Sequence, residues 1–282
     1  MPLIPFNNAG AVGIITDISS YELPPEAWSA GQNVRFIDNK AQKFLGDSNI
    51  YSPSITPYHL MMVPTNTELL WLIAGLTKVH ATDFTTNWDV TRSAGGDYAA
   101  TEENKWNGGV LGGIAILNNG IDIPQMWTPP VGTQVLQAIS NWSTWPIGGV
   151  GTRVGCLRPF ENYIFCLDIT EAGSRDPRAV AWSHPAAPGG VPSSYAYNSA
   201  TVDADLLVLS DTPGFVLDCA PLRGRRNIIY KEDAFYIAQY VGGASIFAID
   251  RFDASVGLLA KNCIGTLPGG HFFPTSDDVV VF

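Results

Sequence analysis

The sequence predicts an all-β fold, and within that class a β-propeller built from repeated hairpins with loop insertions. Three features predict it. The 282 residues include 28 Gly and 20 Pro, with 46% hydrophobic and only 15% charged residues, a composition suited to many short strands joined by tight turns rather than to a helical bundle. Apolar residues then alternate with polar ones at the two-residue period of strands. The third feature is a longer beat: hairpin-like units recur at 68–82, 112–127, 161–182, 226–240 and 271–282. Their first arms, marked by Trp71, Ile114, Tyr163, Ile228 and Phe272, lie 43, 49, 65 and 44 residues apart. Propeller blades recur every ~40–50 residues as four-stranded sheets around an axis, so the beat fits a propeller with one enlarged blade or insertion. A β-sandwich, the structural alternative, gives turn signals every ~8–12 residues without that beat.

Taken in chain order, the first element is the stretch AWSAGQNVRFIDNKAQKFLG, residues 27–46. Val34, Phe36 and, after a turn at Asp38-Asn39, Phe44 are expected on one face of a hairpin, with Trp28 as its aromatic anchor. Residues 1–50 therefore form an N-terminal segment with a hairpin, packed on or part of the propeller, and 51–282 form the propeller itself. Within the later hairpins, Asn118-Asn119-Gly120 and Lys231-Glu232-Asp233 supply residues that tolerate positive φ or cap a turn locally. The connections at 127–153 and 183–200 are rich in Gly, Pro, Ser and Asn and long enough to be insertions at blade edges, where contacts to partners are commonly carried. Eight tryptophans are scattered through hairpins and loops, as core and interface roles require. The closing DDVVVF reads as half a hairpin with no returning arm. An unpaired apolar strand invites aggregation, so the expectation is a chain shortened at its C-terminus or, less favoured, a sheet completed by another polypeptide.

The formal charge of −10, from 16 basic and 26 acidic residues, excludes holding nucleic acid by counter-ion release, which needs a basic surface. The one basic cluster, Arg223, Arg225 and Arg226, is followed by Glu232 and Asp233 and reads as a solvated turn or an ion-paired interface edge. MPLIPFNNAG lacks a positive n-region and an adequate apolar stretch, and no apolar run reaches the ~18–20 residues of a membrane span, so neither a secretory leader nor membrane insertion is expected. Cys156, Cys166, Cys219 and Cys263 show no CxxC spacing and sit in apolar runs, the pattern of buried free thiols in a reducing compartment. GGVGTRVG, 148–155, spaces its last glycine one residue too far for a dinucleotide loop and has no βαβ setting, so a glycine-rich turn is expected. His59, His80, His184 and His271 are far apart and outside any metal-ligand pattern. No GxSxG is present. The acid pairs Asp203 with Asp205 and Asp277 with Asp278 would suit glycoside chemistry if they faced a cleft, with solvated strand ends the plainer reading. Asn141-Trp142-Ser143 matches the glycosylation pattern, which without a secretory signal has no physical meaning. No catalytic residue, metal or cofactor follows from these residues.

Two blocks carry a resemblance. ITDISSYELPPEAWSAGQNVRFIDNKAQKFLG resembles the opening of the tail nozzle proteins of short-tailed bacteriophages, also called packaged-DNA stabilisation or tail tubular B-type proteins. It has the Tyr-x-Leu-Pro-Pro segment, then Trp28, then Asn33-Val34-Arg35-Phe36 and a Lys43-x-x-Gly46 turn. PGFVLDCAPLRGRRNIIYKEDAFYIAQYVGGASIFAIDRFDASVGLLAKNCIG is similar to the middle of that family, with a Leu222-Arg223-x-Arg225 turn, an Ile228-Ile229-Tyr230 strand, an aromatic hairpin and Gly257 separated from Cys263 by five residues. Together the blocks cover about a third of the chain; members of the family are usually much longer.

The resemblance implies a structural role and no enzymatic one. Copies would form a homo-hexameric ring below the portal and the adaptor (head-to-tail connector) protein, continue the DNA channel, retain the packaged genome and open at ejection. Tail fibres or distal tail proteins would be further partners, and genomic DNA would pass without sequence-specific binding, in the tail of a virion assembled in the bacterial cytoplasm. Cyclic symmetry of this kind uses head-to-tail contacts between different faces of neighbours. On this reading Trp28, Val34 and Phe36 anchor the N-terminal segment or simply form the hairpin core, while Arg35, Lys40 and Lys43 lie at its polar margin or at a subunit contact. An acidic wall would let the duplex slide without sticking. The competing class is a glycan-binding or glycoside-cleaving propeller, which predicts a monomer with acids and aromatics converging at one mouth of the axis. A general interaction scaffold is the third possibility, since propellers host many functions.

Overall fold

The computed structural model describes residues 8, 10–44, 46, 48–65, 69–129, 134–243 and 245–282. The chain divides into two compact units, Met1–Ser52 and Pro53–Phe282.

In the first unit β1 (Gly13–Ile14) pairs in parallel with β2 (Ala27–Trp28), and β3 (Val34–Ile37) forms a hairpin with β4 (Lys40–Lys43). Asp38 and Asn39 both adopt positive φ, 52° and 61°, the two-residue turn whose twist matches a hairpin. That turn corrects one expectation. It pairs Val34 with Lys43 and Phe36 with Ala41, so the returning residues on the Val34 face are Ala41 and Lys43. Phe44 donates its N–H to the Asn33 carbonyl and lies on the opposite face with Arg35, whose guanidinium carbon is 6.0 Å from its ring centre. Trp28 meets Phe36 edge-on at 6.1 Å, and Ile14 and Val34 close over Gly31 so tightly that a Cβ there would stand 2.8 Å from each.

The second unit is a five-bladed β-propeller. Its sheets follow one another along the chain, each an antiparallel meander. The first holds β5 (His59–Pro64), β6 (Leu69–Ala74), β7 (Val79–Thr82) and β8 (Asn87–Asp89). The second holds β9 (Asn107–Leu111), β10 (Ile114–Asn118), β11 (Gln125–Trp127) and β12 (Gln137–Ala138). The third holds β13 (Arg153–Phe160), β14 (Tyr163–Glu171), β15 (Ser174–Trp182) and β16 (Asp205–Val208). The fourth holds β17 (Val216–Leu222), β18 (Arg226–Lys231), β19 (Phe235–Tyr240) and β20 (Phe247–Asp253). The fifth has three strands, β21 (Gly265–Leu267), β22 (Gly270–Pro274) and β23 (Val279–Val281). The five hairpins expected from sequence are the second and third strands of these sheets, and Trp71, Ile114, Tyr163, Ile228 and Phe272 each fall in a second strand. The 65-residue interval arises from the long strands of the third sheet, 8 to 9 residues in β13 to β15, and from the connection at 183–204. Among the described residues there is no α-helix, and no helix is long and apolar enough to cross a membrane.

DDVVVF is also corrected. Its strand is itself the returning arm: β23 pairs with β22 through Phe272–Val281, Phe273–Val280 and Pro274–Val279. The turn between them is closed by Thr275, whose N–H donates to the Asp278 carbonyl at 2.7 Å and whose hydroxyl accepts the Asp278 N–H at 3.0 Å.

The core lies between successive sheets, which is why inner strands such as Ile114–Asn118 are buried at every position rather than at alternate ones. Met61, Leu70 and Leu72 pack on Ala115, Leu117 and Trp127; Phe165, Trp182 and Phe247 fill the space between the third and fourth sheets; Tyr230 and Phe235 meet Phe273 and Phe282 between the fourth and fifth. Two buried tryptophans donate their indole N–H to loop carbonyls, Trp106 to Gly75 at 2.7 Å and Trp142 to Thr152 at 3.0 Å, so each of these rings fills a core and pins a connection. The two terminal sheets differ. On the face of the first that does not pack on the second, Leu60, Met62 and Leu69 are 56%, 49% and 46% exposed; on the face of the fifth that does not pack on the fourth, Phe272, Val279 and Val281 are 43%, 61% and 70% exposed.

Candidate functional site

The first strands of the sheets converge on the propeller axis. His59 and Leu60 of β5, Arg158 of β13, Asp218 to Pro221 of β17, and Asn262 and Ile264 just before β21 line a cavity of about 440 Å³ there. The centre is an ion pair between Arg158 and Asp218, Nε to Oδ1 and Nη2 to Oδ2, both at 2.7 Å. Arg158 also donates from Nη1 to the Gly108 carbonyl of β9 at 3.0 Å and from Nη2 to Asn262 Oδ1 at 2.6 Å. Asn262 closes the circuit, its N–H donating to Asp218 Oδ2 at 2.8 Å and its Nδ2 to the Trp106 carbonyl at 2.9 Å. One guanidinium thus ties the second, third and fourth sheets to the segment that leads into the fifth. Gly108 permits the approach: with φ at 146° and the Ile116 carbonyl where a Cβ would stand, no other residue fits.

The electrostatics follow from burial and pairing. Burial alone would raise the Asp218 carboxyl, but hydrogen bonds and charge from Arg158, with the Asn262 N–H and the Cys156 thiol, hold it below the ordinary carboxylate range. Burial, helped by the Arg158 charge, pushes His59 down to about 4, so its imidazole is neutral. Cys156 and Cys219 are raised by burial and then by Asp218, Cys219 to about 12, which makes them poor nucleophiles. All four cysteines are free thiols, three of them buried. Among the described residues that line the axial cavity, Asp218 is the ionised carboxylate, its oxygens taken up by Arg158 and Asn262.

These residues were not singled out from sequence, although a signal existed. Arg158 in VGCLRPF and Asp218 in FVLDCAPL are single charges inside apolar strands, and a buried charge needs a mate of opposite sign.

The residues singled out from sequence lie elsewhere. Arg223 and Arg225 occupy the β17–β18 turn. Arg225 sits over the Tyr240 ring at 4.0 Å and 3.9 Å from Glu161 on the β13–β14 turn, bridging two blades, while the Arg223 carbonyl accepts from Arg226 Nε. In the N-terminal unit, Arg35 reaches Gln42 at 3.3 Å, Asn33 holds a positive φ of 55°, Lys43 stands opposite Val34, Lys40 opposite Ile37, and Gly46 is exposed. Asp203 and Asp205 border a surface cavity of about 400 Å³ with Ser199 and Ser245; the Asp203 N–H donates to His184 Nδ1 and Asp205 Oδ1 takes the Leu206 N–H. Asp277 and Asp278 belong to the β22–β23 turn. Gly148 and Gly149, with positive φ, form the turn that enters β13. His271 is buried between the Tyr230 hydroxyl and the Pro221 carbonyl. Among the described residues no group of three or more His, Cys, Asp or Glu side chains could hold a metal ion.

Compared with known proteins, the chain matches no family model and no curated protein.

Proposed function

We propose that the chain is a structural virion protein, the nozzle subunit of a short-tailed bacteriophage tail, acting in a homo-hexameric ring with the adaptor protein above and fibre or distal tail proteins below. The observation that carries this reading is the exposed apolar side chains on the first and fifth sheets, Leu60, Met62 and Leu69 and Phe272, Val279 and Val281. Exposed apolar area of that kind marks contact with other protein, and a cyclic ring supplies such contacts between neighbouring copies. The two sequence blocks supply the family. The closed axis supports the same reading, because a 440 Å³ cavity stoppered by an ion pair passes no duplex; the DNA channel is the hole enclosed by the ring of copies. The charge of −10 keeps that wall from gripping DNA. The alternative, a glycoside-cleaving propeller, calls for two carboxylates about 5–10 Å apart in a cleft; the axis offers one, already paired, and the pair that shares a cavity is Asp203 with Asp205 at the surface.

Light scattering across concentration, with and without the adaptor protein, tests the reading. A sixfold species, alone or on adding adaptor, is expected, and the double substitution Met62→Lys with Phe272→Lys is expected to reduce it to smaller species while leaving the monomer folded. A monomer under every condition would send attention back to the axial cavity and to glycan screens.

A further inference from the structure

A cavity of about 540 Å³ lies off the axis where the loop after β8, the β10–β11 connection, β12 and the start of β13 meet. Its polar lining includes Arg92, Asp122, Gln125, Gln134, Gln137 and Arg153. Two guanidinium groups and one carboxylate leave it with one excess positive charge, on a protein whose formal charge is −10.

The hydrogen bonds show which cation is left over. Asp122 is fully committed: Oδ1 accepts from Arg92 Nη2 at 2.8 Å, and Oδ2 accepts from Asn119 Nδ2 at 2.8 Å and the Ala99 N–H at 2.9 Å. Arg92 is the cation paired with that carboxylate, with further bonds from Nε to the Gly96 carbonyl and from Nη2 to the Asp97 carbonyl and its guanidinium 4.5 Å from the Tyr98 ring centre. Arg153 instead meets only backbone carbonyls, Ile121 from Nε at 2.6 Å and Val150 and Thr152 from Nη1 at 2.7 and 2.8 Å. Its Nη2 has no hydrogen-bond partner among the described residues, and the side chain lines the cavity. Burial lowers its pKa, Asp122 opposes this, and the neighbouring Arg92 charge lowers it further, so the cation is under-compensated where it stands.

We propose that this cavity binds a carboxylate, held by the free Nη2 edge of Arg153 and flanked by the side-chain amides of Gln134 and Gln137. A monoanion fits better than a phosphate, because the excess charge is one and Asp122 would repel a second negative charge. Two sources carry the same chemistry: a free small acid, including an acidic sugar, or an Asp or Glu side chain of a second copy. The site does not rest on the nozzle reading.

Titrating acetate and glucuronate at constant ionic strength, followed by ligand-observed saturation-transfer NMR, is the test. Saturable binding is expected, weakened about tenfold or more in Arg153→Gln, since a charge-assisted bond accounts for about that factor. Arg153→Lys, which keeps the charge but loses the fork, is expected to weaken it as well, and Arg175→Gln, which removes an arginine paired with Asp168 elsewhere, to leave it unchanged. If the carboxylate belongs to a second copy, acetate instead lowers the solution mass and Arg153→Gln lowers it without acetate. Binding equal in Arg153→Gln and the parent protein, or neither saturable binding nor any effect on mass, would overturn the proposal.

Discussion

Asp218→Ala is expected to lower the unfolding free energy by about 3–5 kcal/mol, the usual cost of leaving one member of a buried ion pair alone. Asp218 is 1% exposed and accepts two bonds from Arg158 and one each from the backbone N–H groups of Asn262 and Cys219. Removing it strands a guanidinium in the axis and leaves two N–H groups without their acceptor. Urea unfolding should show a lower midpoint with an unchanged slope. Arg158→Met combined with Asp218→Leu should recover much of the loss, because neither charge is then buried. The pair also sets a pH dependence. Asp218 titrates lower in the folded protein than in the unfolded chain, so between the two values the unfolded chain binds more protons. The stabilisation is complete above the unfolded value, near pH 4, and is lost as pH falls through the folded value. The double apolar variant should lose that acid-side slope. An Asp218→Ala protein as stable as the parent would mean that the ion pair does not hold the blades.

Phe247→Ala is expected to cost about as much, ~3–5 kcal/mol, by opening a cavity that its neighbours cannot fill. Phe247 opens β20, yet its ring lies 5.0 Å from Phe165, 5.1 Å from Tyr163, 5.4 Å from Trp182, 5.7 Å from Tyr240 and 6.1 Å from Phe160. Most of these contacts are edge-to-face, which adds about 0.5–1.5 kcal/mol per pair beyond burial. The rings from β13, β14 and β15 are thereby locked to the fourth sheet. Near-UV circular dichroism should weaken with the loss of stability, while Phe247→Leu, which keeps most of the volume, should do much less harm. If alanine costs under about 1 kcal/mol, the third and fourth sheets are not held by this cluster.

How much was legible in the sequence depended on whether the information was local. The hairpins were, because alternation and turn residues act over a dozen positions: Asn119 and Gly120 end β10, and Ala172 with Gly173, both at positive φ, turn β14 into β15. The blade beat followed from their spacing. Parity across a turn was the weak point. Phe44 was set beside Val34 by its apolar character, whereas the two-residue turn at Asp38-Asn39 places Ala41 and Lys43 there. Val279–Val281 was read as unpartnered because the Thr275–Asp278 turn that folds it onto β22 is held by a threonine hydroxyl rather than by glycine. The axial site was not legible as a site. Arg158, Asp218 and Asn262 stand 60 and 44 residues apart and meet only once five sheets are arranged around an axis; each alone is one polar residue in an apolar setting. Arg153 was hidden for the same reason, its cavity being assembled from four separate segments.

The most direct test of the ring is imaging of the purified chain with its adaptor by electron cryomicroscopy. Annular particles of six copies are expected, each propeller closed along its own axis, around a channel wide enough for duplex DNA, with the Leu60–Met62 and Phe272–Val281 faces buried in contacts with neighbouring protein. Isolated single propellers with both faces open to solvent, at concentrations where the adaptor itself assembles, would contradict it.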